Sequence, residues 1–136
     1  MNKNLTIVYT PLHGSGLKPT VHGLKDFGFT SIHIVEEQAV QDGAFPTVSY
    51  PNPEEQAAFE LAIQLGRQVN AELLLATDPD ADRLGVAVKD ASGEYKLLTG
   101  NQLGALLLHY ILSTKKENGT LPSNGAMVKT IVTSEM

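Results

Sequence analysis

Leu73-Leu74-Leu75-Ala76-Thr77-Asp78-Pro79-Asp80-Ala81-Asp82-Arg83 is the stretch on which the reading of this chain turns. Its first half is a short apolar run closed by a turn signal, the pattern of a strand buried in a sheet covered on both faces. Its second half sets three carboxylates at alternate positions, so that their oxygens can turn inward on one hard cation. Oxygen-only donors of this kind select Mg²⁺ or Ca²⁺ over softer metals. Three anions this close repel one another, and a counter-ion offsets that repulsion. Arg83, beside them, carries a planar fork suited to a phosphate. The competing reading is a solvated acidic turn.

Working outward, Leu5-Thr6-Ile7-Val8-Tyr9 reads as a buried strand. The turn His13-Gly14-Ser15-Gly16 follows, then helix-spaced Leu17, Val21 and Leu24, with Gly28 as a stop. Ser31-Ile32-His33-Ile34-Val35 is the next strand, and 36–53 reads as a long, functional loop rich in proline. Asn52-Pro53-Glu54-Glu55 predicts a helix start, and Ala58, Leu61, Ala62, Leu65 and Val69 give that helix its apolar stripe. After the acidic loop come a strand at Leu84-Gly85-Val86-Ala87-Val88 and a turn at Asp90-Ala91-Ser92-Gly93 into a further strand. The order predicts an α/β fold, a three-layer α/β/α sandwich whose mixed, mostly parallel sheet ends in an antiparallel edge hairpin. Both the His13 loop and the Asp78 loop follow strands, so they are expected to converge on one rim.

Thr99-Gly100-Asn101-Gln102 starts another helix over Leu103, Leu106, Leu107, Tyr110 and Ile111, with a polar linker over 115–124. Ala126-Met127-Val128-Lys129-Thr130-Ile131-Val132 reads as a last strand. One helix and one strand are too little for a separate core. The expected division is 1–98 as one domain and 99–136 as the start of a second.

The 136 residues are 42% hydrophobic and 18% charged, values ordinary for a globular domain rather than a disordered chain. A net charge of -5 argues against nucleic acid as partner. With no cysteine, thiolate metal sites are excluded and a reducing, cytoplasmic setting fits. The start of the chain carries no signal-peptide pattern, and the apolar run near Leu103 is too short to span a bilayer, so no membrane partner is expected.

Look-alikes fail on particular residues. An EF-hand needs Gly at loop position six and Glu at twelve, where Arg83 and Lys89 stand. A haloacid-dehalogenase type of phosphotransferase also places Asp-x-Asp after a strand, but Asp82 departs from its pattern. The turn at Gly14 and Gly16 lacks the third glycine of a dinucleotide fingerprint, with Pro19 in its place.

Thr10-Pro11-Leu12-His13-Gly14, Pro51-Asn52-Pro53-Glu54, the Asp78 loop and Lys129-Thr130-Ile131-Val132-Thr133-Ser134 together resemble the α-D-phosphohexomutase superfamily, the phosphoglucomutases and phosphomannomutases. The acidic loop resembles that family's Asp-Gly-Asp-Gly-Asp-Arg metal loop, with Pro79 and Ala81 replacing the glycines. The resemblance implies domain two of such an enzyme plus the start of domain three, closest to the bacterial phosphoglucomutase branch. It implies an intramolecular phosphotransferase (an isomerase) that interconverts hexose 1-phosphate and hexose 6-phosphate through a phosphoserine and Mg²⁺. Asp78, Asp80 and Asp82 are then the metal ligands, and Arg83 and Lys129 the catalytic residues. His13 lines the substrate cleft, a turn-anchoring role being its alternative; a surface lysine is the alternative for Lys129. The partners implied are glucose or mannose phosphates and the remaining domains of the parent chain. The Ser-His-Asn-Pro phosphoserine pattern and the sugar-reading loop do not occur in these residues, so the chain by itself is expected to be inactive. A free-standing metal- or phosphosugar-binding module and a small Mg²⁺-dependent phosphatase acting through Asp78 are the alternatives. Ser15 reads as a turn residue, and His22, His33 and His109 as packing or surface residues. Glu36 and Glu37 read as a solvated pair.

Overall fold

The computed structural model describes residues 3–130. The chain divides into two compact units, Met1–Leu98 and Thr99–Met136. In the first, β1 (Ile7–Thr10), α1 (Leu17–Asp26), β2 (Ile32–Ile34), α2 (Glu36–Ala39), α3 (Glu60–Val69), β3 (Leu73–Thr77), β4 (Leu84–Lys89) and β5 (Tyr95–Leu98) follow in order. They build one sheet in the order β2-β1-β3-β4-β5. β1 pairs parallel with β2 and β3, whereas β4 pairs antiparallel with β3 and with β5. This is the expected mixed sheet, with β4 alone running against the other four strands.

The chain moves out from β1 to β2 and then back past β1 to β3. Right-handed crossovers reversing direction in this way put their helices on opposite faces of the sheet. The side chains agree. A methyl group on Gly66 of α3 would lie 2.7 Å from Leu74 Cδ2, whereas one on Gly16, at the start of α1, would lie 2.6 Å from the Tyr9 hydroxyl. Val8 and Leu74 thus face α3, and Tyr9 faces α1, as strand alternation requires. The core lies on the α3 face, where Val8, Leu12, Val35, Phe59, Ala62, Leu74 and Ala87 are fully or almost fully buried. Each large apolar side chain there contributes roughly 2–3 kcal/mol. Helix α1 buries no residue completely; Leu17, Val21 and Leu24 are half-covered.

Four expectations need correction. The helix expected from Asn52 begins later: Asn52 Oδ1 accepts from the Glu54 N–H at 3.1 Å, closing a turn, and a 3-10 segment Gln56–Phe59 precedes α3. Flanking prolines hold Asn52 out of helical geometry and let its side chain close the turn instead. The 36–53 loop contains one helical turn, α2, with Glu36 and Glu37 exposed and Gln38 buried. In the second unit α4 (Gly100–Glu117) starts where expected, with Thr99 and Gln102 forming a capping box, but it runs into the predicted linker. No strand forms over 126–130, where Val128 is 94% exposed, and the rest of that predicted strand lies outside the described residues. An apolar run becomes a strand only where a partner offers its ladder, and none does so among the described residues.

Candidate metal and phosphate site

The sheet order reverses between β1 and β3, and in open α/β sheets the crevice beyond the carboxyl ends at such a point is where ligands bind. The loops after these two strands meet there. Ser15 donates both its backbone N–H (2.9 Å) and its hydroxyl (3.1 Å) to the Pro79 carbonyl. Ser15 is thus a turn residue that fastens the two loops together. A methyl group on Gly14 would lie 2.3 Å from Pro79 Cα, so glycine permits this approach. Beneath them the Tyr9 and Thr77 hydroxyls share a buried hydrogen bond of 2.8 Å.

Asp78, Asp80 and Asp82 come together: each offers a carboxylate oxygen, and these oxygens lie within 4.8 Å of one another. Donors on opposite sides of a bound Mg²⁺ are about 4.2 Å apart, and those around Ca²⁺ up to about 5 Å. The three aspartates therefore fit a hard cation in number, chemistry and spacing. Ala81 sits between two of them at φ 62, the left-handed region that glycine occupies more easily. That conformation bends the loop so that alternate carboxylates face one point.

The three carboxylates differ in surroundings. Asp78 is buried, and its two oxygens accept from the Arg83 backbone N–H and from Arg83 Nε, both at 2.9 Å. Burial works to raise the Asp78 carboxyl, but the two Arg83 hydrogen bonds, with Asp82 and the Arg83 charge adding to them, hold it below the usual aspartate range. Asp82 is exposed, and the charge on Asp80, followed by contact with Asp78, pushes it up. Arg83 is held more firmly protonated, first by its hydrogen bond to Asp78. Arg83 Nη1 also donates to Asn52 Oδ1 at 3.3 Å. Two of the five guanidinium N–H groups are then engaged, leaving three for an anion.

These shifts predict a stability profile in acid. The lowered carboxyl of Asp78 contributes stability that is present above its unfolded value and lost as pH falls through the folded one. Asp82 runs the other way: its raised carboxyl costs stability when ionised, and the cost vanishes on protonation. Unfolding midpoints measured from about pH 7 down to 2 should therefore fall most steeply below the ordinary aspartate value of 3.8. In Asp78→Asn that steep limb should be much reduced, and an unchanged limb would refute the assignment.

His13 is buried at φ 62, directly after Leu12 at φ 46. Its Nδ1 lies 2.9 Å from the Val40 carbonyl and its Nε2 2.8 Å from Thr47 Oγ1. Thr47 also accepts from Gln38 Nε2 at 3.0 Å, and Gln38 Oε1 accepts from the Thr10 hydroxyl at 2.6 Å. A neutral ring with the proton on Nδ1 satisfies every member of this set: Thr47 donates to His13, and His13 donates to Val40. Both ring nitrogens thus anchor the loop after α2. Lys129 belongs to the second unit, where it is exposed and donates to the Thr130 carbonyl at 3.4 Å. His22 and His109 are exposed and His33 half-buried.

Sequence reasoning gave Asn52 the start of a helix rather than a place beside Arg83, although its Pro51-Asn52-Pro53-Glu54 motif was noticed. It missed Thr47 and Gln38, to which only the length of the 36–53 segment pointed.

The switch point of this α/β/α domain thus carries three convergent carboxylates that could hold a hard cation, beside an arginine fork with three N–H groups unengaged. The family model described as phosphoglucomutase/phosphomannomutase, alpha/beta/alpha domain II, matches residues 1–93, and the chain belongs to that family. It is 44% identical over 119 residues to a probable phosphomannomutase of Haemophilus influenzae, covering 87% of this chain and 24% of that one. It is 41% identical over 134 residues to a phosphoglucomutase of Staphylococcus aureus, covering 98% and 23%. Among solved structures it resembles a phosphoglucomutase/phosphomannomutase family protein of Burkholderia thailandensis, with a TM-score of 0.64 and 26% identity over 85% of this chain and 23% of that one. The chain spans about a quarter of the length of these relatives. No helix of the described residues is long and apolar enough to cross a membrane.

Proposed function

We propose that this chain is the metal-binding part of a phosphohexomutase, an isomerase interconverting the 1- and 6-phosphates of glucose or mannose in the cytoplasm. The observation that carries the reading is the convergence of the Asp78, Asp80 and Asp82 carboxylates at the switch point of a sheet of this family. The aspartates hold Mg²⁺, which when bound offsets charge on the transferring phosphoryl group. Asp78, clamped by Arg83, sets the position of the loop, while Asp80 and Asp82 face outward toward the phosphoserine of the parent enzyme. Arg83 grips phosphate oxygens or orients the nucleophilic hydroxyl with its remaining N–H groups. Lys129 matches the family's basic residue facing the reacting hydroxyl, and 99–136 its third domain. His13 acts on substrate indirectly, by holding the loop at Val40 and Thr47. A phosphatase using Asp78 as nucleophile is disfavoured, because both its oxygens are bound to Arg83 and it is buried.

The test is a Mn²⁺ titration followed by NMR line broadening. Signals from 78–83 should broaden first, with weak, roughly millimolar affinity, because Mg²⁺-type sites draw further ligands from water and phosphate. Broadening that starts elsewhere would overturn the metal assignment. The purified chain should show no turnover of glucose 1-phosphate with its bisphosphate activator, and measurable turnover would contradict the need for the other domains.

A further inference from the structure

Resting on the reading of Arg83 as the phosphate-gripping group, we propose that Asn52 is the residue that fixes the plane of the Arg83 guanidinium. Asp78 holds the Arg83 guanidinium through Nε alone, at 2.9 Å, and a planar group held at one atom still swings about that atom. The contact from Nη1 to Asn52 Oδ1, at 3.3 Å, supplies the second point. Two anchors define the plane and the edge on which the other three N–H groups lie.

Asn52 is itself immobilised. It sits between Pro51 and Pro53, whose rings fix the backbone on either side. Its Oδ1 also accepts the Glu54 N–H at 3.1 Å, and its carbonyl accepts the Glu55 N–H at 3.0 Å. Pro53 is buried, and its carbonyl packs onto Gly85 so closely that a methyl group there would lie 2.0 Å from it. Gly85 is two residues from Arg83, so the turn carrying Asn52 is seated on the strand that begins beside the arginine. The amide chemistry also matters. Asn accepts a hydrogen bond without neutralising the cation, whereas Asp in its place would bring another carboxylate to an arginine that already faces Asp78 and Asp82. Asn52 thus orients the fork and leaves its charge for an anion.

The chain has two arginines, Arg67 and Arg83, and Arg67 pairs with Glu94 on the surface, which makes it an internal control. The experiment measures rotation about the Nε–Cζ bond of both side chains by ¹⁵N and ¹³C NMR on this chain, without metal or phosphate. Asn52→Ala should speed Arg83 rotation about five- to tenfold, the size of one lost hydrogen bond, and leave Arg67 unchanged. Asn52→Asp keeps the acceptor and should keep Arg83 slow. Unchanged Arg83 rotation in Asn52→Ala, or equal acceleration of both arginines, would overturn the proposal. The readout is independent of mutase activity, so its failure is distinguishable from failure of the function proposed above.

Discussion

Gly14→Ala should destabilise the first unit by about 3 kcal/mol, a fall of roughly 10–20 °C in its melting temperature. The added methyl would lie 2.3 Å from Pro79 Cα and 2.4 Å from the Pro79 carbonyl oxygen. Those atoms are backbone, so no rotamer change can relieve the clash; one loop must move. Movement breaks the bonds from the Ser15 N–H and hydroxyl to Pro79, which set the entry to the acidic loop. The same variant should therefore bind Mn²⁺ less well than its fold alone requires. Thermal unfolding and the Mn²⁺ titration together check this. A variant with unchanged melting and unchanged broadening at 78–83 would mean that the two loops do not depend on each other.

Asp78→Ala should cost about 2–3 kcal/mol and abolish metal binding, whereas Asp80→Asn and Asp82→Asn should abolish binding with little loss of stability. Asp78 has a side chain 3% exposed, and its removal strands the Arg83 backbone N–H and leaves the guanidinium without its counter-ion. The Arg83 side chain is 47% exposed, so water recovers part of the loss and the full cost of breaking a buried pair does not apply. Asp80 and Asp82 are exposed, and Asp82 is already pushed toward protonation by its neighbours. Neutralising either relieves repulsion. Residues that add repulsion to the folded chain while contributing no packing are explained by what they bind. Chemical denaturation of the three variants beside their Mn²⁺ titrations distinguishes the roles. If Asp80→Asn destabilised as much as Asp78→Ala, the exposed carboxylates would be structural.

The succession of strands and helices, the mostly parallel sheet which that succession implies, and the acidic loop could be read along the chain, because the pattern of each element is written within a few positions. Three alternate aspartates after an apolar run announce themselves locally. So does the start of the helix at Thr99, which needs only the residues of its own first turns. Asn52 looked like a helix start for the same local reason, and folding gave it other work. Its acceptor is held by a turn to Glu54, and an arginine 31 positions away docks on it. The junction of Gly14 with Pro79, and the chain of hydrogen bonds from Thr10 through Gln38 and Thr47 to His13, are likewise pairings between distant segments. Sequence periodicity reports which side of an element is apolar, since that is written in the spacing of its own residues. It does not report which polar group from another loop arrives at a buried donor or acceptor. That choice is made when the sheet brings β1 and β3 side by side, and every buried hydrogen-bonding group must then find a partner there.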